Sequence, residues 1–307
     1  MKKSLFAFAV TIVALASCTN KEVTEIADSN VIKFDNAFVG KATRASIETI
    51  TAEGIDRFYV MGTKNAASFF NNVEVYKKEG KWGYDDLKQW EAATYAFAAY
   101  SDGGSKINEG VTFSGEEGLK IANYKVNNGE KKDLIMAVST TNLNEANIAI
   151  EYTFKHALAM IKFTLNSGLG SNNITISELT VKGIKNTGTF TLEENDIVCQ
   201  EGSETIDFVS DDFVTTQTTA GKSDEMVVIP QKGSDLQVTF NAKVQTEDGE
   251  VTKVLTANIA SYEWKSGLRY NYEATITGTD MDIIEFADPK VDEWPDYTDG
   301  GEMELNK

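Results

Sequence analysis

From Ser46 onward the hydrophobic residues of this chain recur at every second position, and no window holds a sustained helical period. Leu268, Tyr270, Tyr272, Ala274 and Ile276 fall on one side of an extended chain, and Arg269, Asn271, Glu273, Thr275 and Thr277 on the other. That alternation predicts a strand with one face buried and one face wet. Ile161, Phe163 and Leu165 repeat the pattern, as do Ile148, Ile150, Tyr152 and Phe154. Residues 94–100 (TYAFAAY) and 134–138 (LIMAV) are apolar on both faces, as a strand between two packed layers must be. Turn chemistry separates the runs. Glu79-Gly80 lies between VEVY and KWGY, and Asp248-Gly249 lies between residues 236–244 and 251–259. Both predict tight antiparallel hairpins. Pro230 stops residues 226–229, because proline cannot donate to a ladder. Only residues 88–93 could make a helical turn. Short strands with turn signals about every 8–12 residues predict an all-β chain of sandwich type.

The chain has 307 residues, room for two domains of roughly 150 residues each. The expected boundary lies near residues 154–158, giving sandwiches over residues 45–155 and 156–279. No linker rich in Pro, Gly or Ser marks it, so the two are expected to pack closely. Ahead of them stand Lys2 and Lys3, an apolar run over residues 5–16, and Leu15-Ala16-Ser17-Cys18. The run falls well short of the roughly 20 residues that a membrane span needs. Residues 1–18 therefore read as a lipoprotein export signal, with Cys18 as the lipidation site. Acyl chains there would anchor the precursor, each buried methylene contributing about 0.8 kcal/mol.

Charge narrows the function classes. With 29 basic and 47 acidic residues the formal net charge is −18, which argues against nucleic acid and against anionic lipid as partners. No D-x-[DN]-x-[DN]-G loop occurs, so neither a metal nor any other cofactor is expected. Once Cys18 is lipidated, Cys199 stands alone, flanked by Ile197 and Val198 as a small strand hydrophobe would be. His156 is the sole histidine and sits in an alternating apolar stretch. Carboxylates are abundant, but no spacing arranges them as a hydrolytic pair. No catalytic residue is assigned, and the chain is not expected to be an enzyme.

Three arginines occur: Arg44, Arg57 and Arg269. The latter two lie inside strand patterns, where paired backbone resists proteolysis. Arg44 lies among Gly40, Lys41, Ala42, Thr43, Ala45 and Ser46, small residues that read as an exposed, cleavable loop. A cut between Arg44 and Ala45 would discard residues 19–44, a propeptide carrying the strand-like Val31-Ile32-Lys33-Phe34 and Ala37-Phe38-Val39. Losing a paired strand exposes a sheet edge, and an exposed edge recruits another strand. Reburying about four apolar side chains at roughly 1.5–3 kcal/mol each releases on the order of 6–12 kcal/mol before ordering costs. The tail, residues 280–307, offers a donor: Ile283, Ile284 and Phe286, with Val291 and Trp294 as further anchors and Pro289 and Pro295 as breaks. The other reading of the tail is a last strand of its own domain followed by an acidic end.

Several segments together resemble the fimbrillins, the type V pilins of Bacteroidales. They are the lipobox at Cys18, ATRA around Arg44, YAFAAY at 95–100, FKHALA at 154–159, VIPQ at 228–231 and WKSGLRY at 264–270. The resemblance covers nearly the whole chain. It implies two transthyretin-like β-sandwich domains in tandem, a precursor lipidated at the outer membrane, and an arginine-specific protease that removes the first strand. It further implies that a C-terminal strand from a neighbouring fimbrillin subunit fills the groove, building a fimbria on the cell surface that serves adhesion. The residues name no ligand on a host or bacterial surface. An alternative is a surface lipoprotein that binds glycans, with Trp82, Trp90, Trp264 and Trp294 as sugar platforms.

Overall fold

The structure is a computed structural model that describes residues 30–39, 55–129, 132–139, 148–170, 172–193, 196–246, 249–277 and 284–294. These contain no α-helix. The first half carries β1 (Phe34–Val39), β2 (Arg57–Lys64), β3 (Ala67–Lys78), β4 (Lys81–Gly83), β5 (Tyr95–Asp102), β6 (Val111–Ser114), β7 (Gly118–Lys125), β8 (Leu134–Val138) and β9 (Ile150–His156). The second carries β10 (Ala159–Ser167), β11 (Ile174–Lys185), β12 (Thr187–Glu193), β13 (Asp196–Glu201), β14 (Thr205–Val209), β15 (Phe213–Thr215), β16 (Gly221–Lys222), β17 (Met226–Val228), β18 (Gln231–Thr246), β19 (Gly249–Trp264), β20 (Leu268–Ile276) and β21 (Lys290–Glu293).

Seven strands form one sheet in the order β1-β9-β8-β5-β2-β3-β4. Its two end strands come into contact, so the sheet curls nearly shut around its own core. Phe58, Val60, Phe97, Ala99, Ile135, Ala137, Tyr152 and Phe154 fill that core. The alternate residues Tyr59, Met61, Ala98, Tyr100, Leu134 and Met136 point the other way and join a second, larger core. This is why TYAFAAY and LIMAV are apolar on both faces. The Glu79-Gly80 hairpin joins β3 to β4 with both residues at positive φ, 53° and 76°, the backbone of a tight primed turn. Residues 88–93 make no helical turn. Gln89 instead bridges Val31, and the chain bends at residues 92–93.

In the second half, β16-β10-β20-β21 form one sheet with β17 beside β10, and β14-β11-β18-β19 form another with β15 beside β11. Ile161, Phe163, Leu165, Tyr270 and Tyr272 share one core with Val181, Val238, Phe240 and Leu255. Strands β10 and β20 run parallel from Met160↔Arg269 to Ser167↔Ile276. The β18–β19 hairpin pairs Gln231↔Trp264 through to Thr246↔Gly249.

The halves are joined by a fourth sheet, β13-β12-β7-β6. There β7 lies before the expected boundary and β12 after it, and they pair antiparallel from Thr187↔Lys125 to Leu192↔Leu119. Leu119, Ile121, Phe190 and Leu192 lie in the same core as the second half's sandwich. The first half thus keeps one core of its own, and the outward faces of β2, β5, β7 and β8 share the larger core of the second half.

Gly118 marks how close this joint is. Its φ is +71°, and a Cβ there would lie 2.1 Å from the Leu192 carbonyl oxygen. Gly118→Ala is expected to lower unfolding stability by about 3 kcal/mol while leaving one cooperative transition. Urea unfolding of the purified chain measures this. A loss under about 0.5 kcal/mol would mean that the halves do not depend on this contact.

Candidate assembly groove

The segment that the sequence marks as removable is the one that closes the curled sheet. Its alternation sends Ile32 and Phe34 inward and leaves Lys33 and Asp35 exposed. The ladder with β9 is parallel, Phe34↔Ile150 and Asp35↔Glu151, then shifts register before Phe38↔Thr153. That irregularity turns Ala37 back into the core, where it is fully buried. Val31, expected on the outer side with Lys33, is buried as well.

Residues 30–34 are held on two margins. On one side the Ile150 N–H donates to the Lys33 carbonyl at 2.7 Å. On the other, the Ile32 N–H donates to the Lys88 carbonyl at 2.8 Å and the Trp90 N–H to the Asn30 carbonyl at 2.9 Å. The Tyr84 hydroxyl donates to the Ile32 carbonyl at 2.9 Å and accepts from the Lys88 N–H. The segment thus bridges β9 and the stretch after β4, the two margins of the sheet.

Phe34 is the centre of the core it closes. Its ring lies 5.4 Å from Tyr84, 5.7 Å from Phe70, 6.1 Å from Tyr152, 6.2 Å from Phe58 and 6.4 Å from Phe97. Four of these contacts are edge-on and Tyr152 is stacked. Emptying such a position costs about 3–5 kcal/mol. The groove is not fully satisfied even when filled. The Tyr152 hydroxyl and the Trp90 indole N–H are buried without a hydrogen-bond partner, a penalty of about 1–3 kcal/mol each. Burial also pushes the Tyr84 hydroxyl up from its ordinary value, and the Tyr152 hydroxyl well above it.

The expected donor residues sit in the chain's own second half. Ile284 and Trp294 are buried, Phe286 is partly buried, and Val291 is half exposed. Phe286 meets Phe163 edge-on at 5.2 Å, and the Ala287 N–H donates to the Glu273 carbonyl at 2.9 Å. Strand β21 pairs antiparallel with β20, Tyr270↔Val291, and Lys290 pairs with Glu273 at 2.8 Å. Trp294 stacks on His156 at 5.1 Å. Residues 284–289 thus pack along the second half outside any strand, and β21 closes its sheet as a last strand. Cys18, Arg44, Ala45 and Ile283 lie outside the described residues.

His156 Nδ1 lies 2.6 Å from a buried Asp133 carboxylate, deep in the fold. Cys199 is half-buried, and burial pushes its thiol up to about 12, which leaves no reactive thiolate at neutral pH. Among the described residues no cluster of His, Cys, Asp and Glu could hold a metal ion. Arg57 pairs with Glu74 at 3.0 Å and Arg269 with Glu225 at 3.1 Å, both within strands. Trp90, Trp264 and Trp294 are buried, and Trp82 packs edge-on against Phe58 at 4.8 Å. Among the described residues the exposed large hydrophobics are Leu, Ile and Val. Sequence reasoning missed the rings that line the groove. Their signal was the density of Phe and Tyr at alternating positions in β2, β3, β5 and β9.

Comparison with known proteins gives consistent results. A model of the fimbrillin-like family matches residues 43–294. No curated protein sequence matches. A fimbrial protein from Bacteroides vulgatus ATCC 8482 superposes with a TM-score of 0.58 at 16% identity, over 87% of this chain and 100% of that one. A candidate cell adhesion protein from Bacteroides ovatus ATCC 8483 superposes with a TM-score of 0.53 at 15% identity, over 87% and 98%. At these identities the likeness is one of fold.

The tyrosines report on the groove. An acid whose pKa is raised by folding contributes stability that is complete below its unfolded value, here 10.0, and lost as pH rises through the folded value. With residues 30–39 in place, Tyr84 and Tyr152 are therefore expected to ionise above the ordinary tyrosine range. Once residues 1–44 leave, water reaches both hydroxyls and their phenolate absorbance should titrate closer to the ordinary value. Ultraviolet pH titration before and after cleavage measures the change, and identical curves would mean that the groove stays closed.

Proposed function

Because the chain belongs to the fimbrillin-like family, matched over residues 43–294, we propose that it is a structural subunit of a cell-surface pilus whose first strand is a removable plug. The observation that carries this reading is the seat of residues 30–39. They bridge both margins of a curled sheet, centre its aromatic core, and end five residues before Arg44. The family match begins at residue 43 and leaves the plug outside.

The sequence of events follows from the chain's chemistry. Export and lipidation at Cys18 hold the precursor at the outer membrane. An arginine-specific protease cuts after Arg44, and β1 departs with the propeptide. The parted margins, β9 and residues 88–90, then hold unpaired backbone groups around an emptied Phe34 position. A strand from another subunit relieves both defects at once. The C-terminal donor must first unpeel β21 from β20, so assembly exchanges one docking for another. The role is structural and adhesive, with no catalytic step.

The test uses the non-lipidated precursor, residues 19–307. Treatment with an arginine-specific protease is expected to give one cut after Arg44, read by intact mass, followed by growth into ladders of oligomers. Resistance at Arg44, or a clean cut that leaves a stable monomer, would contradict the reading. Removing residues 1–44 takes away six basic and four acidic residues, so the formal charge moves from −18 to −20. Subunit repulsion is then screened by salt, over a distance of about 8 Å at physiological strength. Polymer yield should rise from low to physiological salt, and an equal or lower yield would contradict this electrostatic account.

A further inference from the structure

The turn that follows β7 carries the one Asn-Gly pair of the sequence, Asn128-Gly129. An asparagine amide can be attacked by the backbone nitrogen of the residue after it. The attack needs that nitrogen free of a hydrogen bond, no side chain on the follower, and room for the amide to turn. Asn128 and Gly129 are both exposed. Gly129 sits at φ +76°, and nothing lies within 4 Å of the place a Cβ would take. Its N–H donates to no group among the described residues. Glycine is the residue that reaches such a backbone without strain.

The electrophile is held as well as the nucleophile. The Val209 N–H, at the end of β14, donates to Asn128 Oδ1 at 3.4 Å. Pairing of Val209 with Thr180 of β11 fixes that donor. The contact is long in the resting amide. As Cγ becomes tetrahedral its oxygen gains negative charge, and a donor fixed beside it gains strength. Other asparagines have one part without the rest. Asn65 Oδ1 accepts from the Thr94 N–H at 3.0 Å, but Ala66 follows with its Cβ. Asn72 Oδ1 accepts from the Tyr100 hydroxyl at 2.6 Å, but it lies inside β3 and the β-branched Val73 follows.

We propose that Asn128-Gly129 is a self-modifying site, where the chain's own backbone converts the Asn128 amide to a carboxylate with the Val209 N–H as oxyanion donor. Water takes the proton from the Gly129 nitrogen, which bonds to Asn128 Cγ. The charge passes to Oδ1. Collapse breaks the Cγ–Nδ2 bond, and Nδ2 takes a proton from water and leaves as ammonia. Water then opens the five-membered imide. Breaking the new bond at Cγ gives aspartate. Breaking the original peptide bond gives isoaspartate, whose main chain runs through Cγ and is one methylene longer. Either product moves the formal charge from −18 to −19, since a neutral amide becomes a carboxylate. The longer main chain lies beside Val126, whose N–H donates to the Asn186 carbonyl at 2.8 Å and whose carbonyl accepts from the Asn186 side chain at 3.1 Å. Those bonds tie the first half to the second. The reaction runs once per chain, so the fraction converted records the age of the folded protein.

The test incubates the folded 19–307 chain in mildly alkaline buffer and follows the tryptic peptide 126–131 by mass spectrometry. That peptide should gain the mass difference between amide and carboxylate, in two chromatographic forms, and fragmentation should place the gain on Asn128. Conversion is expected to run about threefold faster in the folded chain than in the same chain in guanidinium chloride, the effect of one weak hydrogen bond. Val209→Pro removes the donor from β14, an edge strand, where proline is tolerated. It should bring the folded rate down to the unfolded one. Gly129→Ala should slow conversion in both states. Should Val209→Pro not fold, the folded and unfolded wild-type rates decide alone. Conversion that is slower folded than unfolded, that falls on Asn127 instead, or that is unchanged in a folded Val209→Pro chain would overturn the proposal.

Discussion

One segment, residues 30–39, holds both margins of a seven-stranded sheet and supplies the ring at the centre of its core. A curled sheet that closes on itself through covalently continuous strands has no edge to offer. This one closes through a strand whose onward connection runs directly to Arg44. Its hydrogen bonds to β9 and to residues 88–90 satisfy buried backbone on both margins, and an unsatisfied buried group is expensive. The rest of the first half, from the stacked Tyr152 to the Tyr84 hydroxyl, is arranged around that strand. The proposed removal of this segment would therefore take away the centre of that core.

The second half is tied closely to the first. Its sandwich is joined to the first half through the β7–β12 ladder and a continuous core, so opening the groove need not loosen the whole molecule. The tail is docked through a short ladder with β20, the Lys290–Glu273 pair, the Trp294 stack on His156, the Phe286 ring against Phe163, the buried Ile284, and hydrogen bonds from the Ala287 and Trp294 N–H groups to the Glu273 and Gly267 carbonyls.

Much of the fold is legible from alternation alone. The wet-and-dry faces of β20, the two-sided β5 and β8, and the primed turn at Glu79-Gly80 all follow from local residue order, because strand period and turn chemistry are local properties. What alternation leaves open is who pairs with whom. The partner of β1 is β9, more than a hundred residues away, and its other margin is a stretch that looked like a helical turn. The joint between β7 and β12 crosses the point where length suggested a boundary. Nor can a period of two say whether the tail belongs to its own sheet or to a neighbour's. Such pairings depend on non-local closure, where a few bonds to Lys33 and Ile32 decide the topology. The groove-lining rings were visible only as an excess of Phe and Tyr, and their convergence on Phe34 required the curl of the sheet.

The most direct test of the account is hydrogen exchange at the backbone amides of Ile150 to Phe154 in three states: intact precursor, freshly cut chain and assembled polymer. The account predicts slow exchange in the precursor, fast exchange just after residues 1–44 depart, and slow exchange again on assembly, because the same margin of β9 is covered, bared and re-covered. Protection that does not change when the plug leaves would contradict it, since β9 would then have no vacant margin for a second subunit to fill.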